Sequence, residues 1–370
     1  MKLRVNKNPK TIAVKARLGD NMKTQKGWVA SDLEDTTKWI YHLTTAEINE
    51  LDSVLKLTRK NGETFETLTK ERFPLPTLKG TFDRVLRELE EGMGFFCLRG
   101  LPAEKYSKED LRLMYWGIGL NLGTAVTQSN RGDMLGDVRD HGVQLKSKKG
   151  RGYMTNAHLP FHSDSADVVC LMVLRVAKLG GVSRFVSSLA VHNEIKQTRP
   201  DLLKVLYQPF NWSWKGQEAH GHPPTYMQPM YSEKDGFFSS RFISQHVVGY
   251  GTGTESMPGI PDPTPEQREA IDLVVKLTED SKFFGEMMFE PGDMQFMNNH
   301  VMYHSRTSFE DFEEPDRRRH LIRMWLSVHN SRPLSDLMHV IYQDPRPGAV
   351  RGGFPAHDAP RVFETPAITD

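Results

Sequence analysis

This chain is poor in cysteine, has no long apolar run and carries almost no net charge. Its 370 residues include two cysteines, Cys97 and Cys170. Both lie in apolar, strand-like stretches, which argues against a disulfide framework and suits a reducing compartment. No stretch approaches the roughly 20 consecutive apolar residues of a membrane-spanning helix. A formal net charge of +1 gives no basis for a nucleic-acid partner or an anionic membrane surface. Positions 1–26 lack an apolar segment and so do not read as a secretory signal, while the absence of serine and the presence of Asp20 leave a transit peptide with little support. The expected location is cytoplasmic. Repeats, low-complexity tracts and composition breaks are missing too, which favours one large domain over two. What is present is an apolar content of 38% with 9% aromatics, enough for a substantial core.

Positions 1–40 show no periodicity and are expected to form an N-terminal arm, leaving 41–370 as a single domain. Thr44-Thr45-Ala46-Glu47 is a capping box, opening a helix on Ile48, Leu51, Val54 and Leu55. A second amphipathic helix is expected over Phe82–Glu91, then a buried strand at Phe95–Leu98 and a third helix from Ser107 towards Gly117. The Gly-, Asp- and Lys-rich stretch 124–153 reads as a loop, and 211–259 as irregular strands and loops. Ser187–Arg199 and the segment after Thr264-Pro265-Glu266-Gln267 read as helices, and Met294–His304 and His320–Leu326 as strands. From Asn330 the Pro- and Asp-rich chain is expected to wrap the surface. Short strands with turn signals, decorated by helices, suit an α+β double-stranded β-helix, or jelly roll, with flanking helices.

The chemistry centres on Phe161-His162-Ser163-Asp164. His162 and Asp164 sit at i and i+2, so on extended backbone they point to one face and can supply two ligands of a 2-His-1-carboxylate iron site. A third ligand is needed from far downstream, and His300 and His304 both qualify if Met294–His304 is one strand. A zincin helix is excluded, because the glutamate of its His-Glu-x-x-His motif is missing. Arg323 lies in a strand apolar on both faces, so its guanidinium is enclosed and needs an anion. That anion is either an internal carboxylate or an acidic ligand held by the guanidinium fork. Arg319, four residues earlier, is the second candidate. Gln128, Asn130, Asn156, His158, Asn298 and Arg306 are candidates to line the mouth of the site. For Arg306 a structural ion pair is the better reading than a substrate contact.

Taken in order, Phe161-His-Ser-Asp164, Gly180-Gly-Val-Ser183, Pro291-Gly-Asp293, Asn298-Asn-His300, His304-Ser-Arg306 and Arg319-His-Leu-Ile-Arg323 resemble the TauD/TfdA family. The resemblance covers roughly residues 80 to 330. It implies an Fe(II)- and 2-oxoglutarate-dependent dioxygenase, with His162, Asp164 and His304 as metal ligands and His300 as a neighbour. It further implies Arg323 as the anchor for the 2-oxoglutarate distal carboxylate, with Arg319 as fallback, and Ser183 in place of a co-substrate threonine. The expected reaction is oxidation of a C–H bond in a small polar molecule, hydroxylation first and desaturation or cyclisation as alternatives sharing its first step, with O2 consumed and succinate and CO2 formed. A carboxylate at Asp164 leaves no room for the halide of related halogenases. A cupin-type metal protein and a catalytically silent binding protein are the rival readings. Partners are thus a small molecule and O2, with neither nucleic acid nor membrane, and a homo-oligomer is compatible with this.

Overall fold

A computed structural model describes residues 27–142, 154–251, 253–354 and 361–363. Two sheets face each other, antiparallel except for one parallel strand pair at the edge of the larger, and one is backed by helices.

The chain enters through Trp28 and Leu33, both buried, and reaches strand β1 (Ile40–His42). The expected arm is therefore packed structure from residue 27 onward, because Trp28 and Trp39 sit against Phe95 and Phe185 between the sheets. The remainder of that arm, 1–26, lies outside the described residues. Helix α1 (Thr45–Lys60) begins at the expected box: the Thr44 hydroxyl accepts from Glu47 N, and the Glu47 carboxylate accepts from Thr44 N. Helix α2 (Lys79–Glu90) leads to β2 (Phe95–Arg99), and α3 (Lys108–Leu122) runs past Gly117 to end near β3 (Thr124–Val126). Strand β4 (Leu135–Val138) follows, so part of the expected 124–153 loop is sheet, and residues 143–153 lie outside the described residues.

Next come β5 (Leu159–His162), β6 (Val168–Arg175), the short β7 (Leu179–Gly180) and β8 (Ser183–Ser187). Helices α4 (Ser188–Thr198) and α5 (Pro200–Leu206) precede two hairpins. The first hairpin joins β9 (Pro209–Ser213) to β10 (Thr225–Pro229), and the second joins β11 (Tyr231–Lys234) to β12 (Phe237–Ser240). Helix α6 (Pro265–Thr278) carries its own capping box from Thr264 and Gln267. It is followed by β13 (Phe284–Met287), β14 (Met294–Asn298), β15 (Met302–Arg306), β16 (Phe309–Glu310), β17 (His320–Ser327) and the short helix α7 (His339–Tyr342).

The larger sheet runs β1-β2-β14-β6-β17-β3, with β4 also on β17; the smaller runs β13-β8-β15-β5. Together they form the expected jelly roll. Alternation sorts the side chains of the large sheet. Val169, Val173, Met297, Leu321 and Trp325 belong to the core between the sheets. Val168, Cys170, Met172, Met294, Phe296, Ile322 and Met324 pack with Leu51, Leu55, Val85, Leu86 and Met114 of the helices. Burial on both faces is why β6 and β17 read as continuous apolar runs.

Two further sequence expectations are corrected. Met294–His304 is not one strand: Asn298 Oδ1 accepts from His300 N at 2.9 Å, and the chain turns over 299–301 between β14 and β15. His300 therefore does not share a strand face with His304. The segment after Asn330 does not merely wrap the surface either. Arg332, Leu334, Met338, Ile341, Tyr342 and Arg351 are buried. Their guanidinium groups give the reason: Arg351 pairs with Asp167 and Arg332 with Glu90, which draws the segment inward.

Among the described residues, no helix is long and apolar enough to cross a membrane.

Candidate active site

The site lies between the sheets where β5 meets β15. His304 is in register with His162, and their rings stand 4.2 Å apart. Asp164 follows just past the end of β5. Ligand atoms of His162, Asp164 and His304 all lie within 4.8 Å of one another, and the three residues are buried. That donor set, two imidazoles and one carboxylate, fits a non-haem iron with positions left open.

Local bonds fix how each group is presented. His162 Nδ1 lies 2.9 Å from the Pro160 carbonyl, which fixes Nδ1 as the protonated nitrogen and leaves Nε2 with a lone pair. Burial holds both imidazoles neutral: it pushes His162 below its ordinary value and His304 down to about 3, with the neighbouring His162 adding to the effect. For Asp164, burial acts upward but is outweighed by Arg323, His304 and His162, so the carboxyl stays below its usual range and ionised. Trp325 Nε1 donates to Asp164 Oδ2 at 2.9 Å, and Asp164 N donates to Asn299 Oδ1 at 3.0 Å. Arg323 Nη1 stands 3.4 Å from both Asp164 oxygens, while its Nε donates to Gln128 Oε1 at 2.7 Å.

Behind the loop carrying Asp164, Asp167 Oδ1 meets His300 Nε2 at 2.8 Å and Arg351 Nε at 2.7 Å. Its other oxygen accepts from Ser327 Oγ at 3.2 Å. This buried network fixes the turn on which Asp164 stands.

A second cluster sits farther along the sheet. Arg319 precedes β17, is 4% exposed, and its Nη1 has no hydrogen-bond partner among the described residues. Its guanidinium lies over Phe309, beside which Arg306 also stacks. Burial, reinforced by Arg306, pushes Arg319 down to about 9. Ser183 is in register with Arg306 and donates to Gln295 Oε1 at 3.3 Å; the Gln295 amide nitrogen is itself buried, with no partner among the described residues. Gly181, at φ +72°, leaves the room that Arg319 uses, since a Cβ there would stand 3.3 Å from Arg319 Nε. Asp311 is the nearby carboxylate, but it accepts from the Arg319 backbone N at 2.7 Å, and among the described residues no carboxylate hydrogen-bonds either guanidinium. Cationic charge and unpaired donors thus converge here, which describes a socket for an anion.

A family model of the taurine catabolism dioxygenase TauD, TfdA family matches residues 55–325. The chain belongs to that family. As a TauD/TfdA protein it is a non-haem Fe(II)- and 2-oxoglutarate-dependent dioxygenase. It is 32% identical over 308 residues to FR-33289 synthase of Streptomyces rubellomurinus, covering 82% of this chain and 90% of that protein. It is 27% identical over 321 residues to the taurine hydroxylase-like protein SAT17 of Stachybotrys chartarum, covering 83% and 80%. Among solved structures, an asparagine oxygenase with Fe(II), 3-hydroxyasparagine and succinate superposes with TM-score 0.61 at 16% identity, covering 78% of this chain and 93% of that one. The non-haem iron oxygenase OrfP with Fe and α-ketoglutaric acid gives TM-score 0.56 at 15% identity over 78% and 93%.

Within this TauD/TfdA dioxygenase the candidate residues separate by position. His162, Asp164, His304, Arg323 and Gln128 converge at one end, and Ser183, Arg306 and Arg319 at the other. Arg306 makes no carboxylate pair among the described residues. It donates instead to the carbonyls of Thr155, Ala157 and Thr307, holding the approach to β5. His158 and Asn156 are exposed and away from the centre. His158 meets Ser305, whose side chain alternates to the face opposite His304, and Glu279. Asn298 is also displaced, its amide bonding Leu89 O and Glu90 on the helix side. Asn130 ties its own loop to Gly216 and Gln217. Trp325, Asn299, Gln295 and Asp167 were missed in the sequence. For Trp325 a signal existed, since it lies two residues from Arg323 and so on the same strand face.

Proposed function

We propose that His162, Asp164 and His304 hold the iron, and that Arg319, with Ser183 and Gln295, takes the distal carboxylate of 2-oxoglutarate. The supporting observation is the pairing of a convergent His/Asp/His donor set with a buried guanidinium whose Nη1 has no hydrogen-bond partner among the described residues. This reverses the order expected for the two arginines. Arg323 is engaged by Asp164 and Gln128, too close to the metal ligands to serve the far end of a five-carbon diacid. Arg319 lies four residues away, about 13 Å along extended chain, and its side chain reaches back towards Ser183.

Bound iron would supply O2 activation, with 2-oxoglutarate leaving as succinate and CO2 while one oxygen atom enters a substrate C–H bond. The chain's own groups position and exclude. His162 and His304, held neutral, offer lone pairs. Trp325 and Asn299 aim Asp164. Arg323 neutralises part of the carboxylate charge and limits its rotation. Phe185, Val169 and Met297 belong to the apolar core between the sheets, which excludes water there.

The substrate is read as a small polar molecule of about amino-acid size. Supporting this are the names of the similar structures, whose ligands are hydroxylated asparagine and hydroxylated arginine. Anaerobic Fe(II) and 2-oxoglutarate titration, followed by succinate release in air across a library of small polar metabolites, tests the assignment. Absence of both metal uptake and succinate would reject it.

A further inference from the structure

Arg241 is a second buried guanidinium that makes no ion pair among the described residues. It is 1% exposed, on the segment just after β12. The other deeply buried arginines are satisfied differently: Arg112 pairs with Asp137, Arg332 with Glu90, Arg351 with Asp167, and Arg306 bonds three carbonyls. Among the described residues, Arg241 hydrogen-bonds through its side chain to the Tyr226 hydroxyl alone, 3.3 Å from Nε and 3.1 Å from Nη2, and lies over the face of Trp212 at 5.7 Å. Its Nη1 has no partner among the described residues.

Its place ties it to the metal end of the cavity. The next residue, Phe242, is stitched to Ser163 by backbone and hydroxyl bonds: Ser163 N donates to Phe242 O at 2.7 Å, and Phe242 N to Ser163 Oγ at 3.0 Å. Ser163 lies between His162 and Asp164, and Arg241 is close enough to feel the charge of Asp164 and the Tyr342 hydroxyl. Further unpaired polar atoms belong to its neighbour Tyr342 and to the strand that carries Tyr226. The Tyr342 hydroxyl and both amide atoms of Gln228, which shares a strand face with Tyr226, are buried without partners among the described residues. A buried guanidinium, a phenol and a carboxamide left open together cost folding free energy unless a ligand meets them.

We propose that Arg241, flanked by Tyr342 and Gln228, binds an oxyanion of the primary substrate, so that this dioxygenase acts on an acid and Arg241 determines that specificity. The proposal rests on the site reading above, and it places the acidic group on the hairpin side of the metal, apart from the 2-oxoglutarate socket at Arg319. Charge balance agrees. With a dianionic co-substrate bound, Fe(II), Asp164, Arg323, Arg319, Arg306 and Arg241 still leave an excess of positive charge for an acidic ligand to offset.

The test is calorimetry under anaerobic conditions on enzyme loaded with Fe(II) and 2-oxoglutarate, using propionate, propanesulfonate, propylphosphonate and uncharged propionamide. At least one acid should bind about tenfold or more tighter than the amide, and the best acid shows whether a planar or a tetrahedral oxyanion fits. Arg241→Gln should remove that preference, while Arg241→Lys, which keeps the charge but loses the planar fork over Trp212, should retain only part of it. Equal binding of acids and amide, no binding of any probe, or a preference that survives Arg241→Gln would overturn the proposal. If Arg241→Gln fails to fold, the wild-type comparison of acid with amide still decides. The loading titrations report separately on the metal and co-substrate reading, so failure there is distinguishable from failure here.

Discussion

Arg323 touches both oxygens of Asp164 at 3.4 Å, whereas Arg319, four residues before it, ends in a buried nitrogen with no partner among the described residues. Two arginines of similar burial thus have different work. Arg319→Gln should weaken 2-oxoglutarate binding by about 30-fold or more, the worth of a charged, partly desolvated bond, and leave Fe(II) affinity within about threefold. Arg323→Gln should act mainly on the metal, through the freed Asp164. Anaerobic titrations of each ligand in turn on both variants separate the two roles.

Trp325 orients the carboxylate from the other side. Trp325→Phe keeps the ring packing and deletes the Nε1–H bond to Asp164. Fe(II) affinity should fall by about 10- to 100-fold, as when a partner of a metal ligand is lost. Melting of the metal-free protein should move little by comparison. An unchanged metal affinity would show that the indole is packing alone.

Much of this arrangement was readable from residues alone, and the reasons it stopped are physical. His162 and Asp164 were legible because extended backbone places i and i+2 on one face. The capping boxes at Thr44 and Thr264 were legible because they are local. His300 was misplaced because an apolar run hides a turn, although Asn298-Asn299 carries a turn's chemistry. Arg319 could not be preferred over Arg323, since that choice depends on Gln128 and Asp164, each more than a hundred residues away. The pairings of Arg351 with Asp167 and Arg332 with Glu90 are long-range in the same way. One sequence cannot display them.

Histidines buried in neutral form make stability depend on pH. Burial pushes His192 and His300 from 6.5 down to about 4. The unfolded chain takes up these protons near pH 6.5 and the folded chain does not until near pH 4. Stability should therefore be full above about pH 6.5, decline through that window, and level off below it. His192 packs against Tyr207, Tyr231 and Phe238, so His192→Phe should keep the contacts and flatten the slope. Denaturant midpoints of metal-free protein between pH 7 and 4 measure this, and equal slopes for the two proteins would contradict it.

Two glycines set opposite limits. Gly292 turns at φ +90°, and a Cβ there would stand 1.9 Å from the Leu101 carbonyl oxygen. Gly292→Ala should cost about 2 kcal/mol or more and lower Tm. Gly80, in the first turn of α2, meets nothing within 4 Å, so Gly80→Ala should raise stability by up to about 1 kcal/mol.

The account stands on one cation held by three side chains from two strands and a turn. Anaerobic Fe(II) titration of the wild type, His162→Ala and His304→Ala, with each variant's fold checked by circular dichroism, tests that most directly. The wild type should take up one iron per chain, and each folded variant should lose that uptake by about a hundredfold or more. Wild-type stoichiometry and affinity retained in either variant would contradict it.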